Sequence, residues 1–345
     1  GRDFVKPGNL IGNGAYTLAS WRINDRIVLT RNARYHSANQ VGFDKVEWIP
    51  EENETEEFNL FRTDELDLTA STPTALHQRL TVDYPEALQV APILTAYFYV
   101  FDLTEPPLGD VRLREALALA VDRETLTTAV TSAGQVPAFG LVPPGIPGYT
   151  AFRYAWADWP RAAQLARARE LYAAAGYSDE RPLKARLLYN NAAAHEKIAV
   201  AVQAMLRDSL GAEIELVSQE FKVMLQNRSV RDAWDLMRLG WTGDYNDANT
   251  FLETFQSNHP QNTPRFADDA YDATLVAAAT ELDPEERQQK LNAAEGILMR
   301  QYPILPLYFN VSRHLVSPRI TGFKSNVRDR IYSRHLRPAN SDDTP

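Results

Sequence analysis

Cysteine is absent from the 345 residues of the chain. This absence excludes disulfide scaffolds, thiolate zinc sites and cysteine nucleophiles, although it does not fix the cellular compartment. No segment approaches the roughly 18 consecutive apolar residues of a transmembrane helix, so we predict no membrane span. The sequence begins without Met and without the positive-then-apolar layout of a signal peptide. We therefore expect a processed, trimmed or excerpted chain.

Basic residues are fewer than acidic ones: the chain has 36 Lys and Arg residues and 45 Asp and Glu residues, so its formal net charge is -9. Binding to nucleic acid requires clustered Lys and Arg that displace counterions from the phosphates. We therefore expect no nucleic-acid partner, and an acidic surface that keeps the protein solvated.

Catalytic motifs are also missing, since the chain has no G-x-S-x-G, no H-E-x-x-H and no glycine-rich phosphate loop. Its six histidines are scattered without the spacing of metal ligands. We predict neither an enzyme nor a metal or cofactor site. One enzymatic alternative stays open: Glu220 and Asp244 could form a carboxylate pair for hydrolysis, because the sequence does not set the distance between them.

The first part of the chain has the patterns of β structure. Strands are predicted over residues 16–21, 27–30 and 46–50. In the last of these, apolar and polar residues alternate, so Trp48 is expected to face inward. A helix is predicted over 53–62, with Thr55 as its N-cap.

The middle of the chain alternates strands and helices with short connections. Strands are predicted over 97–101, 183–189 and 214–217, and helices from Asp110, over 161–175 and over 193–210. Gly176 and Gly211 follow the last two helices, at the position where a left-handed residue commonly ends a helix. A late helix over 284–301 and a strand from Pro306 complete the pattern, which predicts a layered α/β domain.

A set of short segments follows in a fixed order. They are G-N-G-A-Y with Trp21, R-N-A-R-Y, F-R-T-D-E-L-D, D-V-R-L-R-E-A-L ending in V-D-R, L-L-Y-N with His195, and L-G-W-T-G-D-Y-N-D. Together they resemble the large peptide- and nickel-class solute-binding proteins of bacterial ABC importers, and most closely the oligopeptide-binding branch. The resemblance runs from about Gly12 to about Arg334.

This resemblance implies an α/β, periplasmic-binding-protein-like fold with two lobes, of which one is incomplete. Two crossover strands, 97–102 and 308–313, are expected to join the lobes. Residues 1–95 would form the second, mostly β part of lobe I, and residues 96–308 the opposite α/β lobe. Residues 309–345 would return to lobe I and end in a polar, disordered tail.

The implied function is the capture of short peptides by lobe closure, for delivery to the membrane subunits of an ABC importer. The location implied is the periplasm or the outer face of the membrane. The N-terminal portion of lobe I is missing from the pattern, so we expect that another chain supplies it, or that cleavage or truncation removed it. The alternative is a truncated receptor that now serves as a non-binding structural or interaction subunit.

The resemblance also implies a ligand site around the segment Gly240–Asp247, which is rich in turn formers and is interpreted as a pocket loop. Asp244 would pair with the N-terminal ammonium of the peptide, because a poorly hydrated ammonium needs a carboxylate partner. Trp241 would supply a flat apolar wall, and Gly240 would let the ligand backbone approach closely. Thr242, between them, belongs to the same set.

The opposite end of a peptide is a carboxylate, which requires donors or positive charge. Arg238, Arg228 and His195 match positions that line the pocket in the oligopeptide branch, and arginine can grip a carboxylate with two parallel hydrogen bonds. Asn190 is expected to bind the ligand backbone, and Phe221 to form an apolar wall.

Three positions depart from the pattern of the oligopeptide branch. Phe221 replaces a Trp, Val100 stands where an acidic residue can occur, and Asn310, also assigned to the ligand site, replaces an aromatic residue. These changes alter the predicted shape and charge of the pocket, and they permit a different ligand.

Overall fold

The computed structural model describes residues 2–230 and 233–339, so residues 340–345 of the predicted polar tail lie outside the described part. The strands are β1 (Tyr16–Arg22), β2 (Arg26–Arg31), β3 (Lys45–Trp48), β4 (Leu88–Phe101), β5 (Val136–Pro137), β6 (Lys184–Asn190), β7 (Glu213–Gln219), β8 (Leu236–Thr242), β9 (Ile304–Leu315), β10 (Ile320–Thr321) and β11 (Arg337–Pro338). The α-helices are α1 (Glu54–Arg62), α2 (His77–Asp83), α3 (Val111–Ala120), α4 (Arg123–Thr125), α5 (Arg161–Ala174), α6 (Ala193–Leu210), α7 (Phe221–Asn227), α8 (Asn249–Leu252), α9 (Asp269–Thr280) and α10 (Pro284–Arg300).

The chain forms two compact units. Unit 1 comprises the chain up to Ala91 and the chain from Ser312 onward, and unit 2 comprises Pro92–Val311. Both boundaries fall inside long strands, one within β4 and the other within β9. The backbone therefore leaves unit 1 along β4 and returns to it along β9.

Unit 1 contains a three-stranded antiparallel sheet in the order β1-β2-β3. Ile27 in the central strand lies opposite Trp21 on one side and opposite Trp48 on the other. The expectation that Trp48 faces inward is wrong, because Trp48 is 50% exposed and Trp21 is 51% exposed. Alternation along a strand predicts which side chains share a face, but not whether another layer covers that face.

Helix α1 begins one residue after its N-cap, which is Asn53 and not Thr55 as predicted. The Asn53 side chain accepts hydrogen bonds from the backbone N–H groups of Thr55, at 2.9 Å, and Glu56, at 3.3 Å. Asn and Thr are both good N-caps, and the sequence alone did not separate the two positions.

The core of unit 1 brings together distant segments of the chain. Phe61 from α1, Leu80 from α2 and Leu315 at the end of β9 form a buried cluster, and Phe58 and Tyr84 pack against it. Apolar burial at this point stabilises the return of the chain into unit 1.

His314, next to Leu315, is buried and has two acceptors as partners. Its Nδ1 lies 2.9 Å from the carbonyl oxygen of Thr69, and its Nε2 lies 2.7 Å from a carboxylate oxygen of Asp329. Because the Thr69 carbonyl and the Asp329 carboxylate are both acceptors, these contacts favour the doubly protonated ring, the imidazolium form of His314. Burial alone would lower the pKa of His314, but the hydrogen bonds to Asp329 and Thr69 and the charges of Asp329 and Glu57 outweigh burial and raise that pKa.

A pH-dependent stability follows from this raised pKa. The stabilisation by His314 is fully present below the unfolded-state pKa of about 6.5 and is lost as pH rises through the higher folded-state pKa. We expect Asp329→Asn to lower the free energy of unfolding by about 2 kcal/mol near pH 6 and by clearly less near pH 9. Urea unfolding at the two pH values measures the difference.

Asp83→Asn is the matched control, because Asp83 forms only an exposed ion pair with Arg79. Its effect should stay within about 0.5 kcal/mol at either pH. The assignment of an imidazolium would be contradicted if Asp329→Asn cost the same near pH 6 and near pH 9.

Unit 2 is built on a six-stranded sheet in the order β5-β9-β4-β8-β6-β7, within the described residues. Strand β6 is parallel to β7 and to β8, whereas β4 is antiparallel to β8 and β5 is antiparallel to β9. Helix α6 connects the parallel neighbours β6 and β7 and packs on both, so this part is a βαβ unit.

Two predicted helix ends are confirmed in unit 2. Helix α6 spans Ala193–Leu210 and ends at Gly211, which has a φ of 69°. Helix α5 ends at Ala174, and Gly176 follows with a φ of 91°. Glycine adopts this left-handed backbone without a side-chain clash, which is why both helices stop there.

The arginines of the D-V-R-L-R-E-A-L…V-D-R segment hold the backbone and do not face a ligand. The Nε of Arg114 donates to the Tyr302 carbonyl at 2.9 Å, and the Nε of Arg123 donates to the Pro306 carbonyl at 2.8 Å. Arg123 also lies between the rings of Phe139 and Trp156. This segment therefore fixes the start of β9 and has a structural role.

Candidate ligand-binding site

The first three residues of the segment interpreted as a loop, residues 240–242, are in fact the end of strand β8, whereas residues 243–247 lie outside any strand or helix. Leu236–Thr242 pair in continuous antiparallel register with β4, with Tyr99 opposite Arg238 and Tyr97 opposite Gly240. The turn begins only at Gly243. Pairing with β4, a segment far away in sequence, turns residues with weak strand propensity into a strand.

Gly240 is required by the neighbouring strand. A Cβ atom at this position would lie 2.9 Å from the carbonyl oxygen of Ala96, which belongs to the backbone of β4 and cannot move aside easily. The absence of a side chain thus permits the close β4–β8 pairing, and it also leaves the backbone of β8 accessible at this point.

Strand alternation divides the predicted site residues between the two faces of the sheet. Arg238 extends over the ring of Tyr97 on one face, with its guanidinium carbon 4.7 Å from the ring centroid. Trp241 lies three residues after Arg238 along β8, and because side chains alternate between faces, the Trp241 side chain points to the opposite face.

The face with Arg238 holds a compact polar cluster. Arg238 donates to the Asn190 side-chain oxygen at 3.4 Å, and the Tyr97 hydroxyl lies 3.1 Å from Nδ1 of His195. The Tyr97 ring stacks on that of Tyr308, with centroids 4.6 Å apart. Arg238 has no carboxylate partner among residues 2–230 and 233–339.

His195 is a neutral group in this cluster. Burial, together with the positive charge of Arg238, lowers the pKa of His195 to about 4. At neutral pH, His195 therefore offers hydrogen bonding and no charge, so Arg238 is the cation of this face.

The opposite face borders a cavity of about 200 Å³. Five predicted site residues border it, although the guanidinium of Arg238 extends over Tyr97 on the other face: Phe221, Arg228, Arg238, Gly240 and Trp241. The other lining residues are Phe98, Val100, Leu225, Leu239, Thr254, Phe255, Gln261, Thr263 and Pro264. Most of the wall is apolar, and no carboxylate lies among these residues.

Two polar groups of the cavity wall distinguish it from a purely apolar pocket. The Nε1 of Trp241 is buried and has no hydrogen-bond acceptor within the described chain. Arg228 is held at the rim by hydrogen bonds to the Gln261 side chain and to the Pro260 carbonyl. The cavity can therefore hold a small apolar group with an acceptor placed near Trp241.

Asp244 lies in a loop that is fixed although its carboxylate is exposed. Its backbone N–H donates to the buried Thr250 hydroxyl at 3.0 Å, and the N–H of Gly243 donates to the Leu94 carbonyl at 2.7 Å. Arg287 grips Asp247 through both carboxylate oxygens, at 2.6 and 3.0 Å. The Asp244 carboxylate has no ion-pair or hydrogen-bond partner in the described ranges, so it is available to a ligand.

The remaining predicted residues lie apart from these contacts. The Thr242 hydroxyl contacts that of Thr95 at 3.0 Å on an exposed part of β8. Asn310 is half-buried on β9, two residues after Tyr308 and on the same face. Sequence reasoning missed the roles of Tyr97 and Tyr308, although the aromatic run 97–101 was a signal for a strand that carries site residues.

The alternative carboxylate pair loses its support, because Glu220 caps a helix. Its side chain accepts hydrogen bonds from the backbone N–H groups of Lys222, at 2.8 Å, and Val223, at 3.2 Å, at the start of α7. Across the described residues, no group of three or more His, Cys, Asp or Glu side chains could hold a metal ion. No helix in the same ranges has the length and apolar character to cross a bilayer.

Comparison with known proteins identifies the family of this chain. Residues 2–263 match the family model of the bacterial extracellular solute-binding proteins, family 5, middle region. The chain belongs to this family. The match confirms the resemblance inferred from the ordered segments, and members of this family bind solutes and are not classed as enzymes.

Two curated relatives from Escherichia coli cover nearly the whole chain. The periplasmic murein peptide-binding protein is 36% identical over 337 residues, which are 97% of this chain and 63% of that protein. The periplasmic oligopeptide-binding protein is 34% identical over 338 residues, 97% of this chain and 62% of that protein. The chain thus spans less than two thirds of the length of these family 5 proteins.

A solved structure confirms the fold class. The murein tripeptide-binding protein in its unliganded open form matches with a TM-score of 0.89 and 35% identity, over 99% of this chain and 66% of that chain. In these relatives the matched region is part of one longer polypeptide. The expectation of a separate chain that completes lobe I therefore finds no support.

The first prediction for the site concerns Gly240. We expect Gly240→Ala to destabilise unit 2 by about 1–3 kcal/mol, because the added Cβ would meet the Ala96 carbonyl. Chemical denaturation followed by tryptophan fluorescence measures the loss. Gly109→Ala is the control, since its Cβ would meet its nearest atom at 3.5 Å, an ordinary contact. Equal stability of the two variants would contradict the steric role of Gly240.

Proposed function

We propose that this chain is the ligand-binding part of an extracytoplasmic solute-binding protein that captures short peptides for an ABC importer. The names of the two curated relatives specify peptide ligands and a periplasmic location, and the chain shares 97% of its length with each of them. The observation that carries the proposal is the open side of β8, between Arg238 and Asp244.

Strand β8 extends beyond one of its two neighbours. It pairs with β4 along its whole length, from Leu236 to Thr242. On its other side, pairing with β6 involves only Leu236 and Met237. Beyond that point, no other strand of the described chain pairs with this side of β8.

The backbone groups on this open side can bind a peptide. The Asp235 carbonyl accepts from the Asp102 N–H and the Gly243 N–H donates to the Leu94 carbonyl, so these two groups of odd-numbered residues bond towards β4, whereas the Asp235 N–H, just before β8, donates to the Arg186 carbonyl of β6. Because the bonding direction alternates along a strand, the N–H and C=O groups of Gly240 and Thr242 point to the open side. An extended peptide can add there as a further strand, with main-chain hydrogen bonds that do not depend on its sequence.

Strand addition also explains why the site residues occupy both faces of the sheet. Successive side chains of an added strand point alternately to the two faces. One side chain of the ligand would enter the cavity at Trp241, and the next would lie on the face with Arg238 and Tyr97. A site confined to one face could not contact such a ligand along its length.

Opposite charges mark the two ends of this open strand edge. The Asp244 carboxylate lies just past the end of β8 and the Arg238 guanidinium lies near its beginning, and neither forms an ion pair among residues 2–230 and 233–339. At about 3.3 Å per residue, four to six residues of β8 and its turn span about 13–20 Å. This length matches an extended peptide of roughly four to six residues, with its ammonium at Asp244 and its carboxylate at Arg238.

The alternative of a non-binding structural subunit is not favoured. A repurposed remnant would not need an open strand edge, nor a buried polar group in the cavity and charges at both ends of the edge that lack partners among the described residues. Saturable peptide binding by the purified chain supports the proposal, whereas a folded chain without binding to any peptide in a mixed tri- to hexapeptide library would favour the structural alternative.

The pairing of Asp244 with the ammonium can be tested with a double-mutant cycle. We expect Asp244→Asn to weaken the binding of tetra-alanine about 10- to 100-fold in isothermal titration calorimetry, because a charge-assisted hydrogen bond is lost. N-acetylation of the peptide should cost the wild-type protein a similar factor and the variant almost nothing.

Asp269→Asn is the matched control, because Asp269 is exposed at the start of α9 and lies outside the site. It should bind tetra-alanine like the wild type. Additive losses from Asp244→Asn and N-acetylation would show that the two groups do not meet, and would remove Asp244 from the site.

The cavity predicts a side-chain preference. Its wall is mostly apolar and includes Arg228, while Val100 supplies no negative charge. In a series of alanine peptides with Leu or Lys placed at each position in turn, we expect one position where Leu binds at least about tenfold tighter than Lys. Arg228→Gln should reduce that ratio. A Lys peptide that binds as tightly as the Leu peptide at every position would contradict this assignment.

A further inference from the structure

Another cavity lies within unit 1, far in sequence from β8. It has a volume of about 350 Å³ and lies between a segment after β2 and the segment around β11. Its lining residues are Tyr35, His36, Ser37, Gln40, Val41, Arg334, His335 and Arg337. Nothing in the proposed peptide site uses these residues.

The lining has an unusual charge for this protein. Two arginines and two histidines line the cavity and no carboxylate does, although the whole chain has a net charge of -9. The guanidinium groups of Arg334 and Arg337 form no ion pair with any residue in the described ranges. The cavity therefore concentrates positive charge that no carboxylate of the described residues neutralises.

Several donors in this cavity are held in place by local contacts. The guanidinium of Arg334 lies over the Tyr332 ring at 4.7 Å, and its Nε donates to Nε2 of His335 at 3.2 Å. His335 accepts at Nε2, so its Nδ1 carries the proton and is a donor. On the opposite wall, Nδ1 of His36 lies 2.7 Å from the Ser37 hydroxyl.

Two glycines fix the backbone that carries the arginines. A Cβ at Gly42 would lie 2.8 Å from the Arg337 Cα, and a Cβ at Gly322 would lie 2.1 Å from the His335 carbonyl oxygen. Arg337 also pairs with Thr321 between β11 and β10. The chain from His335 to Arg337 is thus packed closely against two other segments, which positions its donors before any ligand arrives.

We propose that this cavity binds a phosphate-class oxyanion. The two guanidinium groups repel metal cations, so the histidines do not make this a metal site. A tetrahedral ion presents acceptor oxygens in several directions and can take donors from both walls, whereas a planar carboxylate takes them along one edge. The proposal is independent of peptide binding, because the cavity lies entirely in unit 1 and Arg238 and Asp244 lie in unit 2.

Inorganic phosphate at constant ionic strength is the probe. We expect the wild-type chain to give saturable ³¹P line broadening with a dissociation constant of roughly millimolar order. The double variant Arg334→Gln/Arg337→Gln should bind at least about tenfold more weakly, because two charge-assisted contacts are lost. Tetra-alanine binding should be unchanged in this variant, which also shows that it is folded.

Arg328→Gln/Arg330→Gln is the matched control, with the same change of charge on exposed side chains of a neighbouring loop outside the cavity. It should bind phosphate like the wild type. The proposal is overturned if both double variants lose affinity equally, since the effect would then be general electrostatics, or if the wild type shows no saturable response at millimolar phosphate.

Vesicles of equal parts phosphatidylglycerol and phosphatidylcholine distinguish two sources of the same phosphate chemistry. Co-sedimentation that Arg334→Gln/Arg337→Gln abolishes and Arg328→Gln/Arg330→Gln retains assigns a lipid headgroup. Phosphate binding by a chain that stays in the supernatant assigns a free oxyanion. Either result supports the cavity as an oxyanion site.

Discussion

The unequal pairing of β8 is the constraint on which the candidate site depends. Strand β4 occupies one side of β8 from end to end, but β6 occupies only the first two residues of the other side. A strand with one saturated side and one open side is rigid and still able to bind a further strand. Gly240 is central to this arrangement, because its missing side chain allows the close approach of β4.

The electrostatics of the site follow from what surrounds Arg238. The tyrosines and the neutral His195 pack around its guanidinium without supplying a negative charge. A partly buried cation without a counter-charge is costly, and a ligand carboxylate would relieve that cost. The low pKa of His195 is thus a consequence of burial beside Arg238, and it leaves His195 uncharged at neutral pH.

Helix ends could be predicted from the sequence, whereas structure that depends on contacts with distant segments of the chain could not. Gly211 and Gly176 end their helices for reasons contained in a few neighbouring residues. Residues 240–242 were interpreted as part of a loop because glycine and polar residues resemble a turn, and pairing with β4 makes them the end of strand β8. The resemblance to a family predicted Phe221, Arg228, Arg238, Gly240 and Trp241 as site residues, and the structure places all five around one cavity. It could not predict that the sheet separates Arg238 from Trp241.

The separation of charge along β8 has a consequence for selectivity. Asp244 would attract an ammonium and Arg238 a carboxylate, and the backbone between them offers bonds to any extended chain. A peptide carries both charges at a fixed distance set by its length, so only peptides near that length satisfy both ends at once. Longer peptides would have to bulge or leave one end unpaired, and shorter ones would reach a single charge. Length selection would therefore arise from the rigidity of β8, while the cavity at Trp241 adds a separate preference for one side chain.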